Sequence, residues 1–146
     1  MQALKIYTLP DPILRTDCLC VDEVTPKEVD LFNSMIYTMD VSEGIGLAAP
    51  QVGVAKRIII LKGKKGEIIK LINPEIVSSA GSGIMAEGCL SIPNRSVELV
   101  RPYKVTVIGR NEKNKEVQIK AKGLLARVLQ HEIDHLSGKL IIDYGR

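Results

Sequence analysis

Apolar and polar positions along the chain follow first a helical period, then an alternating one, then a helical one again. Thr25-Pro26-Lys27-Glu28 reads as a helix start. Thr25 can cap, Pro26 suits the first helical position, and Glu28 completes a capping box. Val29, Phe32, Met35, Ile36 and Met39 then recur at helical spacing and define an apolar face that should be core. The helix should stop near Glu43-Gly44, with Gly44 as its C-terminal stop. From there to about residue 121 the pattern is that of strands. Residues 57–61, 68–72 and 75–77 are rich in β-branched residues, the last two separated by the turn signal Asn73-Pro74. Residues 96–100 and 104–108 follow, broken by Pro102; residues 111–115 form a polar turn and 116–120 a short alternating strand. A second helix is predicted from Gly123 to about Ser137, ended by Gly138. Leu125, Leu129, Ile133 and Leu136 make its apolar stripe, and Leu124, Val128, His131 and His135 lie on the adjacent face.

Composition narrows the class. A chain of 146 residues reads as a single domain, 1–146, large enough to bury a core without disulfides. Hydrophobic residues at 45% and charged residues at 25% are ordinary for a soluble globular protein. Aromatics are 3%, with no Trp, so the core must be aliphatic. A net charge of +3 is too small to argue for nucleic acid. The densest basic cluster, Lys62-Gly63-Lys64-Lys65-Gly66, reads as a hairpin tip. No apolar run is long enough to span a membrane, and residues 1–10 lack the pattern of a secretory signal. Three cysteines, with Cys18 and Cys20 one residue apart, do not form a disulfide framework, which favours a reducing compartment. Cys18 and Cys20 read as small apolar residues.

Both histidines of the chain sit in His131-Glu132-Ile133-Asp134-His135. On a helix, residues four apart share a face, so the two imidazoles can reach one metal ion, with Glu132 beside the open coordination position. A catalytic site of this kind uses three protein ligands, so the third must be Cys, Asp or Glu. One candidate is Cys89, in Glu87-Gly88-Cys89-Leu90-Ser91, although a lone cysteine in a strand is more often a buried small hydrophobe. Gly44-Ile45-Gly46-Leu47-Ala48-Ala49-Pro50-Gln51 has little side-chain bulk, which lets something pack close to its backbone. A buried Gln51 there needs hydrogen-bond partners; facing a metal, its amide N–H can donate to an oxyanion.

These three segments, 44–51, 87–91 and 130–138, resemble the three signature motifs of the peptide deformylases, in the same order. The resemblance implies an α+β fold: antiparallel or mixed sheets packed around a central helix bearing the His-Glu-x-x-His motif, with an N-terminal helix. It implies Cys89, His131 and His135 as ligands of one divalent metal, ferrous iron in cells, with zinc, nickel or cobalt able to take its place in purified protein. Glu132 would be the general acid and base, and Gln51 with the Leu90 N–H would hold the oxyanion. Ile45, Gly46, Glu87 and Gly88 would contact an N-formyl-methionyl peptide added as a strand. The methionine side chain would lie against Ile45, Leu124, Arg127, Val128 and His131, with Arg127 at the pocket mouth and within reach of Glu87. The reaction implied is removal of formate from newly made polypeptides, in the cytoplasm (a host's, for a phage-encoded protein) and by a monomer. Many relatives dock on the ribosome through a C-terminal helix or tail beyond the point where this sequence stops, at Arg146, so ribosome contact through that element is not expected. Two other classes compete. A metallopeptidase would fit the His-Glu-x-x-His motif alone, and a catalytically dead peptide-binding protein would be expected to have lost Glu132 or a ligand.

Overall fold

The computed structural model describes residues 2–144. Its first helix, α1, spans Pro26–Val41 and begins as the sequence predicts: Thr25 caps it, and the Glu28 carboxylate accepts from the Thr25 backbone N–H at 2.8 Å. The buried face differs from the predicted one. Phe32, Met35 and Met39 are inside, but Val29 is exposed and Ile36 only half-buried, while Glu28 and Thr38 are buried. Both polar residues turn inward because each finds a partner there. Thr38 Oγ1 accepts from Leu4 N at 2.9 Å, and Lys56 Nζ lies 2.8 Å from Glu28 Oε2. The left-handed residue after the helix is Glu43, with φ 58°, not Gly44. Gly44 instead admits Leu90, whose Cδ1 would stand 3.2 Å from an added Cβ.

Seven strands follow: β1 Gly46–Ala48, β2 Ile58–Lys62, β3 Ile68–Ala80, β4 Gly83–Cys89, β5 Ile92–Arg101, β6 Lys104–Arg110 and β7 Glu116–Lys122. A five-stranded sheet runs β1-β2-β3-β6-β7 and a two-stranded sheet pairs β4 with β5, all antiparallel. The predicted break at Asn73-Pro74 is a bulge within one long β3. The register shifts between Ile72 and Glu75, and Asn73 takes φ 53°. Its side-chain amide bonds both the N–H and the carbonyl of Val21, at 2.9 and 2.8 Å. That bidentate hold keeps the chain extended through a turn signal. β5 begins four residues earlier than the β-branched run suggested, and the apolar pattern does not single out β1 or β4 at all.

The second helix, α2, spans Gly123–His135, two residues shorter than predicted, and the chain turns at Gly138 with φ 72°. Alternation along β2 shows how the sheet is covered on both faces. Ile59 and Leu61 pack with Ala126, Leu129 and Leu136 of the α2 segment, whereas Ile58 and Ile60 pack with Phe32, Met35 and Met39 of α1. A strand buried on both faces reads as an unbroken apolar run, which residues 58–61 are. Truncating a fully buried side chain such as Ile59 or Leu129 to Ala would cost ~2–5 kcal/mol. A third cluster joins Leu14, Ile92, Leu99, Leu140 and Ile141 behind the β4–β5 hairpin, with Cys89 packed against it. Cys18 is buried as a small apolar residue should be, but Cys20 is exposed. Among the described residues, no helix is long and apolar enough to cross a membrane.

Candidate metal centre and substrate cleft

The fold brings the three sequence segments together from different elements. Helix α2 supplies His131 and His135, and their ring centroids stand 5.2 Å apart. Cys89 is the last residue of β4, at the tight turn into β5, which aims its thiol back at the helix. Cys89 Sγ lies 3.5 Å from His135 Nε2, and one ligand atom from each of Cys89, His131 and His135 falls within 4.8 Å of the others. In a tetrahedral site with a sulfur at ~2.3 Å and a nitrogen at ~2.0–2.1 Å, those two donors would be ~3.5 Å apart. One thiolate and two imidazoles, at this spacing, therefore fit a divalent transition metal.

The candidate ligands are held from behind. Glu87 Oε1 is 2.9 Å from His131 Nδ1, which commits that nitrogen and leaves Nε2 for the site. The Glu87 carboxylate also accepts from Arg101 Nε at 2.6 Å, Arg101 Nη2 at 3.0 Å and Arg127 Nη1 at 2.7 Å. Glu87 is thus a buried carboxylate between two guanidiniums and an imidazole. Its backbone alone is left to meet a substrate. Arg127 lines the cleft and reaches Glu87, but its guanidinium is turned inward and engaged. It is buried, and ties α2 to the hairpin through Glu87 and the carbonyls of Leu99 and Gly83, at 3.2 and 2.8 Å.

Charge states follow from this packing. Burial opposes the Glu87 charge, but hydrogen bonds from His131 and Arg101 outweigh it and hold the carboxyl near about 2. For His131 burial again opposes charge, and hydrogen bonds to Cys89 and Glu87 raise it to about 10. A divalent cation displaces such a proton when it binds imidazole. Burial drives His135 down to about 3, the neutral form a ligand needs. Burial lifts the Glu132 carboxyl to about 7, and among the described residues Glu132 Oε1 has no hydrogen-bond partner. An orphaned, near-neutral carboxyl facing a cleft is suited to exchange a proton there.

Gln51 lies in the 3-10 turn Ala49–Val52 and is almost fully buried. Its Oε1 accepts from Ala48 N at 2.9 Å, which fixes the amide orientation. Nε2 then points at Ser91 Oγ, 3.2 Å away, and at Cys89 Sγ, 3.7 Å away. Gly46 of β1 sits against Glu132: a Cβ there would meet Glu132 Oε2 at 2.6 Å. A cleft of about 740 Å³ runs over these groups. Ile45, Gly46, Gln51, Glu87, Gly88, Cys89, Leu90, Leu124, Arg127, Val128, His131 and Glu132 all line it, while His135 lies beneath, 1% exposed. Met85 and residues 92–96 extend its wall and were not foreseen. Neither were Arg101, Asp134 and Tyr144, which lie behind Glu87, nor Ser91, which faces Gln51. One signal was available for Arg101: it shares the inward parity of Val97 and Leu99 along β5, and a charge at an inward position needs an opposite charge.

A metal-dependent hydrolase of the His-Glu-x-x-His kind is the class this arrangement defines. Comparison with known proteins narrows it. The family model for polypeptide deformylase matches residues 3–146. The peptide deformylase of Halothermothrix orenii is 51% identical over 144 residues, 98% of this chain and 94% of the relative. A peptide deformylase crystal structure from Legionella pneumophila superposes with a TM-score of 0.95 at 44% identity, covering 99% of this chain and 87% of that one. That of Ehrlichia chaffeensis, in complex with actinonin, gives 0.96 at 38% identity, covering 100% and 90%. The chain belongs to the polypeptide deformylase family, and is a hydrolase.

Proposed function

We propose that this enzyme removes the formyl group from the N-terminal formyl-methionine of newly made polypeptides, releasing formate. The observation that carries the reading is the meeting of Cys89, His131 and His135 beside the unpartnered Glu132 carboxyl, at the floor of a cleft walled by Gly46. Cys89 Sγ and the Nε2 atoms of His131 and His135 would hold the metal, with ferrous iron the resident ion in cells. A bound divalent cation supplies Lewis acidity, lowering the pKa of water and polarising a carbonyl oxygen.

Glu132 accepts the proton of the attacking water and passes it to the leaving amine. A carboxyl poised near neutral pH suits both transfers. Gln51 Nε2, fixed by Ala48, donates to the oxygen on which charge develops, and the Leu90 N–H is the second donor; each is worth ~3–4 kcal/mol. β1 lies at one edge of the five-stranded sheet, and β4 has a single partner strand. Their free edges border the cleft, so a substrate backbone can pair with Ile45 and Gly46 on one side and Glu87 and Gly88 on the other. The methionine side chain rests on Ile45, Leu124, Val128 and the His131 ring, over the aliphatic stem of Arg127. The tight space between Gly46 and Glu132 admits a formyl hydrogen and rejects an acetyl methyl.

The test is formate release from formyl-Met-Ala-Ser by protein purified without oxygen and loaded with ferrous iron or nickel. Release that a chelator abolishes is expected, with acetyl-Met-Ala-Ser and casein untouched. Absence of release from protein carrying one metal per chain would overturn the proposal.

A further inference from the structure

Behind the ligands a chain of hydrogen bonds runs on to a residue outside all three motifs. Arg101, 3% exposed, divides its donors: Nε and Nη2 go to Glu87, and Nη1 goes to Asp134 Oδ2 at 2.9 Å and, more weakly, to the Tyr144 hydroxyl at 3.4 Å. Asp134 is the last x of the His-Glu-x-x-His motif. Its Oδ2 also accepts from the Tyr144 hydroxyl at 2.6 Å. The Arg101 guanidinium lies over the Tyr144 ring, 4.9 Å from its centroid. Tyr144 follows the 3-10 turn Ile141–Asp143. That turn is anchored twice. Asp143 forms a two-pronged ion pair with Arg15, at 2.6 and 3.0 Å, and Ile141 packs with Ile92 and Leu99 in the cluster that Cys89 touches.

We infer that Tyr144 is a positioning residue for the metal centre, acting through Asp134 and Arg101 on Glu87 and so on His131. The inference rests on the metal-site reading above and adds a residue to it. The physical argument concerns how one buried guanidinium shares itself between two carboxylates. With the Tyr144 hydroxyl in place, Asp134 Oδ2 has a second donor, and Arg101 can keep both Nε and Nη2 on Glu87. Without it, Asp134 has only Arg101 to satisfy it among these three groups, and draws the guanidinium away from Glu87. Glu87 then loses the geometry that fixes which His131 nitrogen faces the ion. The ring adds a second constraint, because it covers the face of the same guanidinium.

Cobalt(II) loaded into wild type, Tyr144→Phe, Asp134→Asn and the double variant tests this. The phenylalanine keeps the ring and deletes only the hydroxyl. Partners behind metal ligands typically change affinity ~10–100-fold, and a residue that acts on such a partner through two further groups should have a smaller effect, accelerating cobalt loss to excess chelator by ~3–10-fold. The visible absorption bands of bound cobalt should shift in Tyr144→Phe. The double variant should lose cobalt no faster than Asp134→Asn, because both act along one path. Tyr144→Phe with wild-type bands and a wild-type loss rate would overturn the inference, even if its melting temperature fell. Effects of the two variants that multiply would also overturn it. Wild type that takes up no cobalt would remove the metal-site reading, and the inference with it.

Discussion

Replacing Gly46 by Ala probes the space on which the proposed chemistry depends. The added Cβ would meet Glu132 Oε2 at 2.6 Å, Val128 Cγ1 at 3.0 Å and Glu132 Cδ at 3.1 Å. An ordinary contact begins near 3.4 Å, so the carboxylate must retreat by about 0.8 Å. Gly46 is not in the left-handed region, so alanine brings no backbone strain and the effect is confined to that clash. Among the described residues Oε1 has no partner to hold it in place, so most of the displacement falls on the carboxylate, with Val128 giving by about 0.4 Å. Misplacing a reacting group by ~1 Å can cost ~10²-fold in rate. The expected fall in kcat is therefore ~30–100-fold, about 2–3 kcal/mol of transition-state stabilisation. Formate release from formyl-Met-Ala-Ser, followed with formate dehydrogenase, measures it, with metal content confirmed at one ion per chain. A kcat within threefold of wild type would refute the reasoning. So would a rise in KM at unchanged kcat, which would mean that the methyl obstructs the peptide and leaves Glu132 in place.

Glu132→Ala should retain its metal and lose ~10²–10⁴-fold in turnover; more than about a tenth of wild-type rate would remove it from the acid/base role. Glu87→Gln should weaken metal binding ~10–100-fold in chelator competition, because it frees the His131 ring and leaves Arg101 and Arg127 facing a neutral amide. An unchanged affinity would show that the ring is set by packing alone. Glu28 governs acid stability away from the site. Hydrogen bonds from Lys56 and Thr25 hold it near about 2 against burial, below its unfolded value of ~4.3. Its contribution is complete above the unfolded value and is lost as pH falls through the folded one, between about pH 5 and pH 2. Because Lys56 is 38% exposed, screening reduces the effect to about 1–2 kcal/mol. Urea midpoints should show Glu28→Gln less stable by that amount at pH 7 and less acid-sensitive below pH 5; an equal slope in both proteins would contradict the linkage.

The residues most legible in the sequence are those whose constraint is local. The i, i+4 spacing of His131 and His135 fixes a shared helix face before any fold is known, and the capping box at Thr25 and Glu28 fixes a helix start. The bulge at Asn73 was not legible, because its cause is Val21, far away in sequence and supplied by tertiary packing. Thr38 turns inward for a like reason, since its hydroxyl accepts from the N–H of Leu4, far away in sequence. In the site, the cleft residues within 44–51, 87–91 and 130–138 came from recognisable motifs, whereas Met85 and residues 92–96 did not. The roles of Arg101, Asp134 and Tyr144 were not legible, even though Asp134 lies inside the His-Glu-x-x-His motif, since each acquires its meaning only from partners on other elements. Only the inward parity of Arg101 in β5 hinted at them.

One of the three ligand atoms rides on a piece of structure that pairs with nothing in the main sheet. An isolated two-stranded hairpin is at best marginally stable in water, so the order of β4–β5 is borrowed from α2 and the C-terminal turn. Local opening of this unit should therefore lie below global unfolding in free energy. Each opening would carry Cys89 away and, with a metal bound, leave it to the two histidines, a moment at which it could exchange with the medium. A metal that binds the closed form better than the open one would suppress those openings as its occupancy rises. Amide exchange along β4–β5 would then read out how much of a population is charged with metal, with no substrate present.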